Sequence, residues 1–125
     1  MIILTLEQLL ELHALVLQST GGSEGLRDLG RLEAAIATQT QNVFGEELYL
    51  TATEKAAALI RSLIADHPFI DGNKRTAMLA GLSFLKVNNI DFKAIPGEIE
   101  DFAVQVAVQK IDVKDITKWL QARVN

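Results

Sequence analysis

Cysteine is absent from the 125 residues. Disulfides, thiolate metal sites and a thiol nucleophile are therefore excluded, and a cytoplasmic setting is expected. Basic clusters are missing too. Net charge is −4, and no Lys/Arg group is larger than the pair Lys74–Arg75. General affinity for nucleic acid, which depends on neutralising phosphates over a basic surface, is not expected. No apolar run approaches a membrane span, and Met1-Ile-Ile-Leu-Thr-Leu-Glu7 has neither the basic region nor the apolar core of a signal peptide. Repeats, low-complexity tracts and linkers are absent, and glycine is dense only from Gly21 to Gly30. That stretch fits neither Gly-x-Gly-x-x-Gly nor Gly-x4-Gly-Lys-Ser/Thr, so it reads as a loop or short hairpin rather than a phosphate loop. What is present is a 49% apolar fraction, in a length that suits one domain over residues 1–125.

Helical spacing dominates. Thr5-Leu-Glu-Gln8 has capping-box spacing, and Leu6, Leu9, Leu10, His13, Val16 and Leu17 then share one face. His13 lies on that apolar stripe, where a hydrogen-bonded core or boundary histidine is expected. A second helix opens at Asp28 or Gly30, with Leu32, Ala35, Ile36 and Gln39 on one side. Residues 42–50 read as an irregular connector with aromatic anchors. Thr51-Ala-Thr-Glu54 is another capping box, opening an alanine-rich helix that reaches about Asp66, where Pro68 disfavours helical backbone at His67. Residues 90–96 are extended. Residues 97–109 satisfy both a strand period and a helix period, and their acidic start and alanines favour helix. Asp112-Val-Lys-Asp115 begins a final short helix in which Trp119 and Leu120 close the core. The expected fold is an all-α bundle of about six helices.

The chemistry concentrates in His67-Pro-Phe-Ile-Asp-Gly-Asn-Lys-Arg75. The following segment, Thr76 to Leu85, is apolar almost all round a helical wheel, as in a helix buried at the centre of a bundle. Lys74 and Arg75 thus occupy the first turn of a core helix running from about Asn73 to Val87. That end is already positive from unpaired N–H groups and the helix dipole. Folding does not ask for two cations there. A phosphate would, taking backbone N–H groups from Gly72 to Arg75 together with both side chains.

This nine-residue segment resembles the signature of the Fic/Doc family, within it the death-on-curing toxin branch. His67, Phe69, Asp71, Asn73 and Arg75 match the general pattern His-x-Phe-x-Asp/Glu-Gly-Asn-Gly-Arg-x-x-Arg, and Lys74 matches only the toxin branch. The likeness extends to Gly25 through Leu29, Phe44 through Tyr49 and Glu54 through Ala57. It implies His67 as catalytic base, Asp71 as magnesium ligand, and Gly72, Asn73, Lys74 and Arg75 as the phosphate cradle, with Phe69 anchoring the loop. It also implies that Arg27 and Asp28 belong to a flap that holds the target segment; a local Arg27–Asp28 ion pair is the purely structural alternative.

Two departures from the general pattern bear on the reaction. Lys74 replaces a glycine that lets phosphates approach the backbone, and Met78 stands where the second arginine would be. Both work against AMP transfer, the alternative activity. The toxin branch implies ATP and Mg2+ as cofactors, transfer of the γ-phosphate to a threonine of elongation factor Tu, and an antitoxin whose disordered C-terminal segment folds onto the groove. Two readings from other classes stand beside it. One is a HEPN-like ribonuclease resting on the Arg61-x5-His67 spacing; the other is a binding module without turnover.

Overall fold

The computed structural model describes residues 1–124. Six α-helices carry the fold: α1 (Leu6–Thr20), α2 (Leu29–Ala37), α3 (Ala52–Asp66), α4 (Asn73–Val87), α5 (Glu98–Gln109) and α6 (Val113–Gln121). The ends of the helices are set by local chemistry. Thr5 and Thr51 form complete capping boxes with Gln8 and Glu54, while Asp28 and Asp112 accept from the N–H groups of Arg31 and Asp115. Residues 98–109 are helix, because only that period turns Phe102, Ala103 and Val106 together into the core.

Helices α3 and α4 form the centre. Leu59, Ile60, Leu63 and Ile64 of α3 meet Ala77, Ala80, Phe84 and Leu85 of α4, all buried. The two helices pack tightly at Gly81, where a Cβ would collide with Cδ1 and Cγ1 of Ile60. A bare Cα is therefore what lets the two axes come this near. Around this pair α1, α2, α5 and α6 supply Leu9, Leu32, Phe102, Ile116 and Leu120. Trp119 is only half-buried, stacked on Phe102 with ring centroids 4.1 Å apart and with the Arg123 guanidinium over its other face.

Two features depart from the sequence reading. Gln39 lies beyond the second helix, in a 3-10 turn at Thr38–Thr40, and is fully buried. Its side chain accepts from Leu4 N at 2.8 Å and donates to Leu4 O and Ile36 O, both at 3.0 Å. A buried amide is kept in the core because its polar atoms find backbone partners there. The connector is also more regular than expected. Asn42–Val43 (β1) and Glu46–Glu47 (β2) pair antiparallel around a Phe44-Gly45 turn, both of whose residues have positive φ. This hairpin sits at the N-terminal end of α3, tied there by Lys55, whose Nζ reaches Gln39 O at 2.8 Å and Glu47 at 3.0 Å. No helix among the described residues is long and apolar enough to cross a membrane.

Candidate active site

The loop from His67 to Gly72 joins α3 to α4, so it lies at the opposite end of α3 from the hairpin. His67 caps α3 in the left-handed conformation, φ 48° and ψ 59°, an uncommon setting for a residue other than glycine. Its side chain is exposed, with Nδ1 3.3 Å from Ala65 O. A carbonyl only accepts, so Nδ1 is the donor of this contact, and Nε2 has no hydrogen-bond partner among the described residues.

Phe69 and Asn73 fix the loop from inside. Phe69 is buried, and Asn73 closes a two-bond ring with it: Phe69 N–H donates to Oδ1, and Nδ2 donates to Phe69 O, each at 2.9 Å. The amide of Asn73 is thus spent on the loop's backbone. His13, buried on α1, stacks on Phe69 with centroids 3.8 Å apart and 6° between planes. Its Nε2 donates to Asp71 O at 2.8 Å. The hydrogen-bonded histidine expected on that stripe is there, and its partner is the active loop.

Asp71 projects from the same turn. Its Oδ2 accepts from Ser23 N at 3.1 Å and its Oδ1 from Gly72 N at 2.8 Å. These two N–H groups, Ser23 first, hold the carboxyl below its ordinary value; some desolvation opposes them, and the charges of Arg75 and His13 add to the lowering. Gly22 must be glycine for this approach, because a Cβ there would lie 2.7 Å from Asp71 Oδ2. Gly72 N–H is therefore engaged by Asp71 rather than left for a ligand. The first turn of α4 begins after Gly72, which offers no side-chain cap, and Lys74 and Arg75 on that turn are exposed. Neither forms an ion pair among the described residues. They border a groove of about 660 Å³ that also includes Asp71, Met78, Leu82, Ile99 and Glu100. Met78 is almost fully buried in its wall and adds no charge.

The Gly21–Asp28 loop covers the other side. Leu26 and Phe69 form an antiparallel bridge, with Ile70 N donating to Gly25 O at 3.0 Å and Arg27 N to Pro68 O at 2.7 Å. The side chain of Arg27 donates through Nε to His67 O at 2.8 Å and through a terminal nitrogen to Asp66 O at 2.9 Å; Arg31 adds a bond of 3.0 Å to Asp66 O. Guanidinium groups thereby satisfy carbonyls at the negative end of α3. No Arg27–Asp28 ion pair forms: Asp28 instead caps α2 and pairs with Arg31 at 3.4 Å.

Comparison with known proteins now decides the kinship. The Fic/DOC family profile matches residues 3–85. The chain belongs to that family. It is 39% identical over 102 residues to a protein of Mycolicibacterium smegmatis named Toxin Doc, covering 80% of this chain and 78% of that one. To the Protein kinase doc of Escherichia phage P1 it is 33% identical over 115 residues, covering 92% and 90%. Membership accounts for the sequence signature, and the geometry shows what its members are held by. His13, Ser23 and Arg27, none of them in the nine-residue signature, supply the contacts that shape the loop. His13 was signalled by its place on an apolar helical stripe and Arg27 by the flap resemblance; Ser23 had no signal, and the contacts of Ser23 and Arg27 span more than 35 residues.

Proposed function

We propose that this protein is a toxin of a toxin–antitoxin pair that transfers the γ-phosphate of ATP to a threonine hydroxyl of a bacterial translation factor, elongation factor Tu by family resemblance. The observation that carries the reading is the first turn of α4: an uncapped helix start, two exposed cations with no ion-pair partner among the described residues, and an ionised carboxylate on one groove. The names Toxin Doc and Protein kinase doc, borne by the two relatives, point the same way.

Each residue has a separable task. His67 Nε2 takes the proton as the acceptor oxygen forms its bond to the γ-phosphorus, and the bond to the β–γ bridging oxygen breaks to release ADP. The N–H groups of Asn73 to Arg75, with the Lys74 and Arg75 side chains, hold the phosphates. Among the described residues no three His, Cys, Asp or Glu side chains cluster. Asp71 would be the protein's ligand to Mg2+, a metal that commonly takes one or two carboxylates from the protein. The metal would neutralise phosphate charge when bound. Asp71 is suited to it because its two backbone donors keep it ionised and leave lone pairs on both oxygens.

The flap role of Arg27 and Asp28 follows in modified form. Their side chains are occupied in holding the loop, so the flap would receive a target segment through backbone. In the non-hydrogen-bonded Leu26–Phe69 pair, the N–H and C=O of Leu26 face away from Phe69 and take no partner among the described residues. The antitoxin's folding segment would compete for the same open face.

The test is incubation with Mg2+ and ATP labelled at the α- or γ-phosphate in a bacterial translation extract. The γ-label should enter a protein and the α-label should not. Transfer of α-label would establish AMP transfer instead, and RNA cleavage abolished by an Arg61 substitution would establish the ribonuclease.

A further inference from the structure

Beside the phosphate groove lies a second cavity, of about 350 Å³, that the reading above leaves unused. Ile64, Val106, Ala107 and Ile111 give it an apolar floor, and Arg61, Lys110 and His67 line it as well. The two spaces adjoin along α5: Ala103 and Val104 border the groove, and Val106 and Ala107 border the cavity. His67 borders the cavity and is not among the residues that border the groove. A chain whose hydroxyl reaches His67 from that side would run over this cavity.

Two cations stand there. Neither Arg61 nor Lys110 pairs with a carboxylate among the described residues. Lys110 caps α5 in the left-handed conformation, φ 52°, where a cation also suits the helix dipole. The dipole does not explain Arg61, which lies within α3 and borders the same space. In a chain of net charge −4 an acidic partner is repelled at a distance, so its recognition must come from short-range contacts of this kind.

We infer that the cavity is a specificity pocket for an acidic side chain of the protein substrate, close in sequence to the acceptor hydroxyl. Its methylene groups would rest on the apolar floor and its carboxylate would meet Arg61 and Lys110. The inference relies on His67 being the base that faces the acceptor.

Two measurements test it, the first without turnover. The wild-type chain, free of nucleotide, is titrated by NMR with acetyl-Glu-Glu-Thr-Glu-Glu-amide and with its lysine counterpart. The acidic peptide should shift the amides of Arg61–Ala65 and Val106–Ile111, and the lysine peptide should not. The double variant Arg61→Gln, Lys110→Gln should bind the acidic peptide roughly fivefold more weakly. Arg61→Glu should reverse the preference. Equal response to both peptides, or shifts confined to Gly72–Arg75, would overturn the pocket. The second measurement is transfer from ATP to the extract's acceptor protein: the double variant should raise KM for the acceptor and leave KM for ATP unchanged. Unchanged acceptor KM overturns the inference. Peptide shifts in the cavity with no transfer by the wild type would uphold an acidic site and remove the kinase reading.

Discussion

The imidazole of His13 lies flat on the ring of Phe69, 3.8 Å between centroids, and bonds through Nε2 to the carbonyl of Asp71 at 2.8 Å. One residue of α1 therefore fixes both the buried anchor and the acidic tip of the loop. His13→Phe keeps the stacked ring and loses the donor. It should fold, with stability lower by about 1–3 kcal/mol from the carbonyl left unpaired, and phosphate transfer should fall at least about tenfold as Asp71 shifts. His13→Gln, which restores a donor, should recover part of kcat. Equal loss in both variants, tracking stability alone, would show a purely structural histidine.

His67→Ala should remove toxicity and lower transfer by about 10²–10⁴-fold, with an unfolding free energy within about 0.5 kcal/mol of wild type, because the imidazole is exposed. Circular dichroism and urea unfolding check the second half. A collapsed helical signal would mean that His67 holds the fold rather than the reaction.

Asp71 carries a signed pH dependence. Its carboxyl is lowered below 3.8 in the folded chain, first by Ser23 N–H and then by Gly72 N–H. A depressed folded value means that the stabilisation is complete above the unfolded value and is lost as pH falls through the folded one. The stability gap between wild type and Asp71→Asn should therefore be constant near neutrality and close only below about pH 4. Urea midpoints across that range decide it. A gap that closes between pH 6 and pH 8, as in a group titrating there, would contradict the assignment.

Lys74 is the position proposed to separate two chemistries. Its ammonium borders the groove with Arg75 and the uncharged Met78, and in the proposed reaction it would favour one terminal phosphate over a diphosphate laid against the backbone. The wild type should add about 80 Da to its target, one phosphoryl group. Lys74→Gly should lose that activity. Intact-mass spectrometry reads both, and an AMP-sized adduct made by the wild type would end the kinase interpretation.

Gly81→Ala tests the core. Helix propensity favours the alanine by about 1 kcal/mol. The collision with fully buried Ile60 works against it by roughly 1–3 kcal/mol. Overpacking should win, giving a net loss measurable as a lower urea midpoint with an unchanged slope. A more stable variant would show that Ile60 has room to turn away.

Much of this was legible in sequence because it is local. Thr5 with Gln8, Thr51 with Glu54 and Asp112 with Asp115 announce helix starts within one turn, and the residues from His67 to Arg75 carry their own chemistry in order. The hairpin was not legible, since two-residue strands contain no period to detect. Nor were the partners of Gln39, His13 and Arg27. A buried amide, a striped histidine and a loop arginine look alike in sequence whether they bond nothing or bond a segment 35 or more residues away. The structural alternative of a local Arg27–Asp28 pair is not realised for that reason: adjacency along the chain was its only support, and Arg27 bonds the carbonyls at the end of α3 instead.

Asn73 has one more consequence. A two-residue sheet fragment has two raw edges, and each invites another chain to extend it. Here the side chain of Asn73 fills the Phe69 edge with the same donor and acceptor that a third strand would bring. The fragment can therefore grow in one direction only, by one segment, on the Leu26 side. Copies of the chain have no second edge through which to stack into a fibre at this point, and an incoming strand meets a single seat.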